Sequence, residues 1–148
     1  MTAGWVDDLI AAFAGERGVE GVRPDASGAY VLGFDDTRVT FAAANGGTVL
    51  LKHAAIDDLP DDGCEEFCRA LLGSPECGGA TFALEPGGDT LYLQRVDDPD
   101  GLDLAGFKAN LNGFLELVER TRGLIATYAS VAAERRREQA DPDWVIRA

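Results

Sequence analysis

From Tyr30 to His53 the apolar residues recur at every second position, a period that fits β-strands and does not fit an α-helix. Tyr30, Leu32 and Phe34 alternate with smaller residues, Val39 and Phe41 alternate with Thr40 and Ala42, and Val49, Leu51 and His53 follow. Asp35-Asp36 and Asn45-Gly46-Gly47 separate the three runs, and Asn-Gly supplies the positive φ angles that a tight hairpin requires. Three strands in an antiparallel meander are predicted.

Helical periods flank the meander. Trp5, Val6, Leu9, Ile10 and Phe13 fall within about 140° of one another at 100° per residue, while Asp7 and Asp8 lie outside that arc, so residues 3–14 are predicted as an amphipathic helix stopped near Gly15 and Gly18. After Pro60, Asp62 and Glu65 have capping-box spacing, and Cys64, Phe67, Cys68, Leu71 and Leu72 form the apolar stripe of a second helix at about 62–72. Phe82 and Leu84 in one run, and Leu91 and Leu93 in the next, alternate around Pro86-Gly87-Gly88-Asp89, which predicts a hairpin of strands 80–85 and 90–96. Leu104, Phe107, Leu111, Phe114, Leu115 and Val118 then share one stripe of a long helix. Beyond Gly123 the stripe rotates, and Leu117, Leu124, Tyr128 and Val131 share another azimuth, so the distal half is expected to bend or to meet a different surface. Runs of strands with interspersed helices make the fold class α+β, with one domain over 1–131 and a polar helical extension and tail over 132–148.

At 148 residues the chain is the size of one domain, and 46 % hydrophobic with 26 % charged residues is the balance of a chain that folds in water. Its net charge is −13, from 26 acidic against 13 basic residues. Such a surface repels phosphate backbones and anionic lipid, so nucleic acid and membrane are poor partners and a basic or apolar polypeptide is a better one. The first residues carry Asp7 and Asp8 where a secretory signal needs basic groups, and no apolar run approaches the ~18 residues of a membrane span. Retention in the cytosol is expected, with the three cysteines reduced.

Catalytic constellations are weak. His53 is the one histidine, and none of Ser27, Ser74 and Ser130 sits in a nucleophile elbow. Cys64 and Cys68 lie on an apolar stripe, where a thiol behaves as a small hydrophobe. Together with Cys77 and His53 they include zinc-ligand types, but their spacing is not that of a zinc knuckle. Aligning Asp97-Asp98-Pro99-Asp100-Gly101 with a calcium loop puts Val96 and Phe107 where the first and last carboxylates belong, and Asp57-Asp58 with Asp61-Asp62 read as helix caps. No glycine-rich phosphate loop is present. No cofactor or metal is expected, and binding, not catalysis, is the expected activity.

The order helix, three-stranded meander, helix, hairpin, long helix, in an acidic chain of this size, resembles the class I type III secretion chaperones (the Tir-chaperone-like family) over about residues 5–130. The resemblance is carried most by Ala70-Leu71-Leu72, the run Gly78-Gly79-Ala80-Thr81-Phe82-Ala83-Leu84-Glu85, and Leu91-Tyr92-Leu93-Gln94-Arg95 leading into Phe107, Leu111 and Phe114. It implies a non-catalytic homodimer that keeps a secreted effector export-competent by binding an extended segment of it. For the dimer interface it points to Cys64, Phe67, Cys68 and Leu71 on helix 62–72 and to Leu91 and Leu93 on strand 90–96. For the effector it points to pockets near the first helix and an exposed strand edge: Val6 and Ile10, expected to stay accessible at the border of that helix's stripe, with Leu32 and Phe34 on the first strand. A sensory or adaptor domain of the same fold, or an acidic immunity protein that plugs a basic toxin, are the competing readings, and a small enzyme using His53 comes last.

Overall fold

The computed structural model describes residues 4–59, 67, 80–84, 88–100 and 102–140. Its elements are α1 (Gly4–Glu16), β1 (Tyr30–Phe34), β2 (Thr37–Ala44), β3 (Val49–Asp58), β4 (Ala80–Leu84), β5 (Thr90–Asp97) and α2 (Leu104–Ala140). The predicted helix 62–72 lies outside the described residues except for Phe67, as do Cys64, Cys68, Cys77 and the tail from residue 141.

The strands form one five-stranded antiparallel sheet in the order β1-β2-β3-β5-β4. Local turn chemistry makes the meander. Asp35 (φ 54°) turns β1 into β2, and Asn45, Gly46 and Gly47 (φ 51°, 69° and 88°) form a short left-handed turn into β3, each in the region that Asn, Asp and Gly tolerate best. The pairing of β3 with β5, which joins meander to hairpin, is set by tertiary packing, with Ala54 opposite Leu93 and Lys52 opposite Arg95.

One face of the sheet is the core face. Tyr30, Leu32, Phe34, Val39, Phe41, Leu50, Ala54, Ile56, Leu91 and Leu93 lie on it or in the core cluster it supports, together with α1 and α2. β3 has the opposite sense to the alternation of Val49, Leu51 and His53: Leu50, Lys52, Ala54 and Ile56 are buried, and Val49, Leu51 and His53 are only half-buried. The register explains this, since Phe41 and Val39 face the core opposite Lys52 and Ala54. A bulge between Ala55 and Asp57 then shifts the β3–β5 ladder near the end of the strand.

α2 starts at Asp103, whose carboxylate accepts the Gly106 amide at 2.7 Å. It runs unbroken for 37 residues. Phe107, Leu111, Phe114, Val118, Thr121 and Ile125 are buried at alternating steps of four and three, so the seam on the core continues past Gly123, and Leu124 and Val131, expected to define a new contact, are exposed. Phe107 touches Phe13 (centroids 5.2 Å apart) and Phe41 (5.5 Å), which knits both helices to the sheet. Burying each such ring contributes about 1.5–3 kcal/mol.

Candidate functional site

α1 is clamped at both ends. Trp5 Nε1 donates to the Gly47 carbonyl at 2.8 Å, which pins its start to the β2–β3 turn, and Glu16 meets Lys108 of α2 at 2.8 Å. Between these clamps Val6, Leu9, Ile10, Phe13 and Ala14 are buried, with Ile10 at 0 % and Val6 at 3 % exposure. The expectation that Val6 and Ile10 stay accessible is therefore corrected. Ala14 widens the buried arc on Ile10's side, which moves Ile10 inward and leaves half-buried Trp5 at the border.

Leu32 and Phe34 are half-buried on β1, an edge strand of the sheet. Their side chains sit beside the core, with Phe34 6.1 Å from Phe13 between ring centroids, while the far edge of β1 carries no neighbouring strand among the described residues. Val31, on the opposite face, is 51 % exposed.

Of the residues expected at a dimer interface, Phe67, Leu91 and Leu93 are buried inside the single chain, at 0 %, 3 % and 0 % exposure. Phe67 meets Tyr128 of α2 edge to face at 5.6 Å. Leu91 and Leu93 point into the core because they share the face of Ala54. Cys64, Cys68 and Leu71 lie outside the described residues.

A cleft of about 290 Å³ opens between α1 and the sheet, lined by Val6, Asp7, Pro24, Ser27, Gly28, Ala42 and Ala43. It exists because β2 outruns β1. The β1–β2 ladder ends at Tyr30 opposite Phe41, while Ala42, Ala43 and Ala44 continue to pair, among the described residues, only with β3. Before Tyr30 the chain is turned aside: Asp25 Oδ1 accepts from the Ser27 and Ala29 amides and the Ser27 hydroxyl, and Gly28 takes φ 86°. The Ser27 hydroxyl and then the Ala29 amide hold the Asp25 carboxyl below its usual range. Asp7 stands on the cleft wall, and its Oδ1 accepts the Tyr30 hydroxyl at 2.7 Å. That bond, reinforced by burial, raises the Tyr30 pKa. No motif in the sequence marks this cleft. The one signal for it was the small-residue run Ala42-Ala43-Ala44 at the end of a strand.

His53, the candidate catalytic residue, stacks on Tyr92 across β3 and β5 at 5.7 Å and 17° on the outer face of the sheet. No cluster of three or more His, Cys, Asp or Glu suited to a metal occurs among the described residues, and no helix among them is long and apolar enough to cross a membrane. Asp97, read as part of an acidic loop, ends β5 in the core and pairs with Lys52.

The model of the Tir chaperone protein (CesT) family matches residues 8–122. A search of the curated proteins finds no match. Among solved structures, the ExsC–ExsE complex superposes with a TM-score of 0.71 at 22 % identity, covering 83 % of this chain and 95 % of that one. The HopA1–SchA chaperone–effector complex gives 0.67 at 15 % identity, covering 82 % and 95 %. The Yersinia pestis type III secretion chaperone SycH, bound to a fragment of YscM2, gives 0.59 at 20 % identity, covering 77 % and 97 %.

Proposed function

Because this chain belongs to the Tir chaperone protein (CesT) family, we propose that it is a cytosolic, non-catalytic chaperone that binds an extended segment of a type III secreted effector and holds it ready for export. The family match over residues 8–122 carries this reading. The fold supports it: an open antiparallel sheet offers the free edge of β1 to an added strand, and half-buried Leu32 and Phe34 lie next to that edge to receive apolar side chains. The net charge of −13 favours a basic partner and speeds its encounter. The chaperone works as a homodimer, with the apolar stripe of residues 64, 68 and 71 as the pairing element. Leu91, Leu93 and Phe67 then contribute through the core and not by direct contact with the second copy, because each is buried in its own chain.

The test is capture of the tagged chain from its own cells followed by mass spectrometry, with deletion of its gene as the second arm. A secreted protein enriched with the chain, bound through a protease-sensitive segment and lost from the culture medium in the deletion strain, is the expected outcome. Normal secretion in the deletion strain together with no co-purified secreted protein overturns it.

A further inference from the structure

We propose that the cleft between α1 and the overhanging end of β2 is a subsite for one basic side chain, lysine or arginine, of an extended segment that pairs with the outward-facing backbone of Ala43. This rests on the chaperone reading for the origin of the segment and adds a residue class to it.

Three features converge on that occupant. The first is the backbone. Ala42, Ala43 and Ala44 pair with Leu51, Leu50 and Val49 on one side and, among the described residues, with no strand on the β1 side. Alternate residues of a ladder point to opposite sides and the Ala44 carbonyl already accepts the Thr48 amide, so it is Ala43 whose amide and carbonyl face outward and await a partner. The residues that lead into β1 do not supply it, because the Asp25 carboxylate locks residues 25–29 into a turn and the Asp25 amide donates to the Ala29 carbonyl at 2.8 Å. The place that β1 would fill by starting earlier is thus kept open.

The second is the chemistry of the walls. Val6, Pro24, Ala42 and Ala43 present a narrow apolar lining, and Asp7 adds a carboxyl group whose only partner among the described residues is the Tyr30 hydroxyl on Oδ1. An aliphatic stem along an apolar wall with a cationic head at a carboxylate is how lysine and arginine bury themselves. The tether to Tyr30 fixes the Asp7 rotamer beforehand, which lowers the ordering cost of the ion pair.

The third is scale and field. About 290 Å³ is at the lower limit of small-molecule sites, suited to one long side chain and too small for a multi-ring cofactor. A net charge of −13 draws cationic segments and repels acidic ones.

The test uses the full chain, labelled with nitrogen-15, titrated with the capped pentapeptide Thr-Val-Lys-Val-Thr and with the same peptide carrying norleucine at its centre. Norleucine keeps the stem and removes the charge. The lysine peptide should shift the amides of Gly28, Ala42 and Ala43 and bind about tenfold more tightly than the norleucine peptide. Asp7→Asn retains an acceptor for Tyr30 and should reduce the lysine peptide to the norleucine level. Ala43→Leu fills the cleft from an exposed position and should abolish both interactions. Equal affinities of the two peptides, or shifts confined to β4 or the outer sheet face, overturn the assignment. If the chain captures an effector segment yet does not discriminate the peptides, the cleft assignment fails and the chaperone reading stands. Lysine-selective binding with no secreted partner in the cell supports the cleft and overturns that reading.

Discussion

Lys52 Nζ lies 2.6 Å from Asp97 Oδ2 in the middle of the core, a charge pair linking β3 to β5 with side-chain exposures of 0 % and 6 %. Arg95 approaches the other carboxylate oxygen at 3.0 Å, and Lys52 also sits 5.8 Å from the centre of the Phe114 ring. The contact is ionic more than directional, since neither Nζ nor Oδ2 has a well-aligned hydrogen bond despite the short distance. Burial pushes the Lys52 pKa down, against the opposing pull of Asp97.

Breaking this pair from one side should cost more than removing it. Asp97→Asn leaves a buried ammonium without its counter-charge, so urea unfolding should show a loss of about 3–5 kcal/mol. The double change Lys52→Met with Asp97→Leu should return to within about 1 kcal/mol of the parent, because apolar groups of similar volume need no desolvation. A double variant as unstable as Asp97→Asn would show that the pair holds β3 to β5 by attraction.

The alkaline limb of stability should carry opposite signatures from Tyr30 and Lys52. The Tyr30 pKa is raised in the folded state by its bond to Asp7, so its contribution is complete below the unfolded value of about 10 and is lost as pH rises through the folded value. Lys52 is shifted down, so the unfolded chain binds the extra proton and stability gains with pH in the window below 10.5. Subtracting the Tyr30→Phe profile isolates the first effect: the advantage of the parent over Tyr30→Phe should shrink above about pH 10. An advantage that is constant there sinks the assignment.

Arg122 joins α2 to the irregular end of β3. Its Nε donates to the Ile56 carbonyl at 2.9 Å inside the bulge, and one terminal nitrogen reaches the Thr37 hydroxyl at 2.7 Å and Glu119 at 3.0 Å. Arg122→Ala should lower stability by about 2–3 kcal/mol, since part-buried carbonyl and hydroxyl groups lose a charged donor. Arg122→Lys should recover less than half, because an ammonium lacks the fork that spans both strands. The check is urea unfolding with amide exchange at the bulge, and a change under about 0.5 kcal/mol for Arg122→Ala refutes the role.

What could be read from the chain and what could not divides by range. The strand periods at Tyr30–Phe34 and Leu91–Leu93, the left-handed turn at Asn45-Gly46-Gly47 and the start of α2 are local signals, and the structure has them. The facing of β3 is not local. Leu50 and Leu51, and likewise Ala54 and Ala55, put apolar residues on both faces, so the choice depends on its neighbours Phe41 and Leu93, and it carries Lys52 inward. The cleft is not a local signal either, since it is made by a mismatch in the lengths of β1 and β2 and by a side-chain bond from the Tyr30 hydroxyl to Asp7 across 23 positions.

The last prediction separates core from binding surface on the effector side. Ile10 is fully buried, so Ile10→Asp places an unpaired carboxylate in the core and should unfold or aggregate the protein, whereas Ile10→Val should cost only about 0.5–1.5 kcal/mol and leave effector binding intact. Leu32 is half-buried on an edge strand, where a shorter polar side chain is tolerated. If an effector segment adds to β1, Leu32→Thr should weaken capture of that segment several-fold with a modest drop in melting temperature, because part of an apolar contact of about 1–2 kcal/mol is removed from the complex. Circular-dichroism melting and co-purification on the three variants decide the matter. A folded Ile10→Asp that has lost its effector returns the site to α1, and a Leu32→Thr variant with full binding moves it off β1.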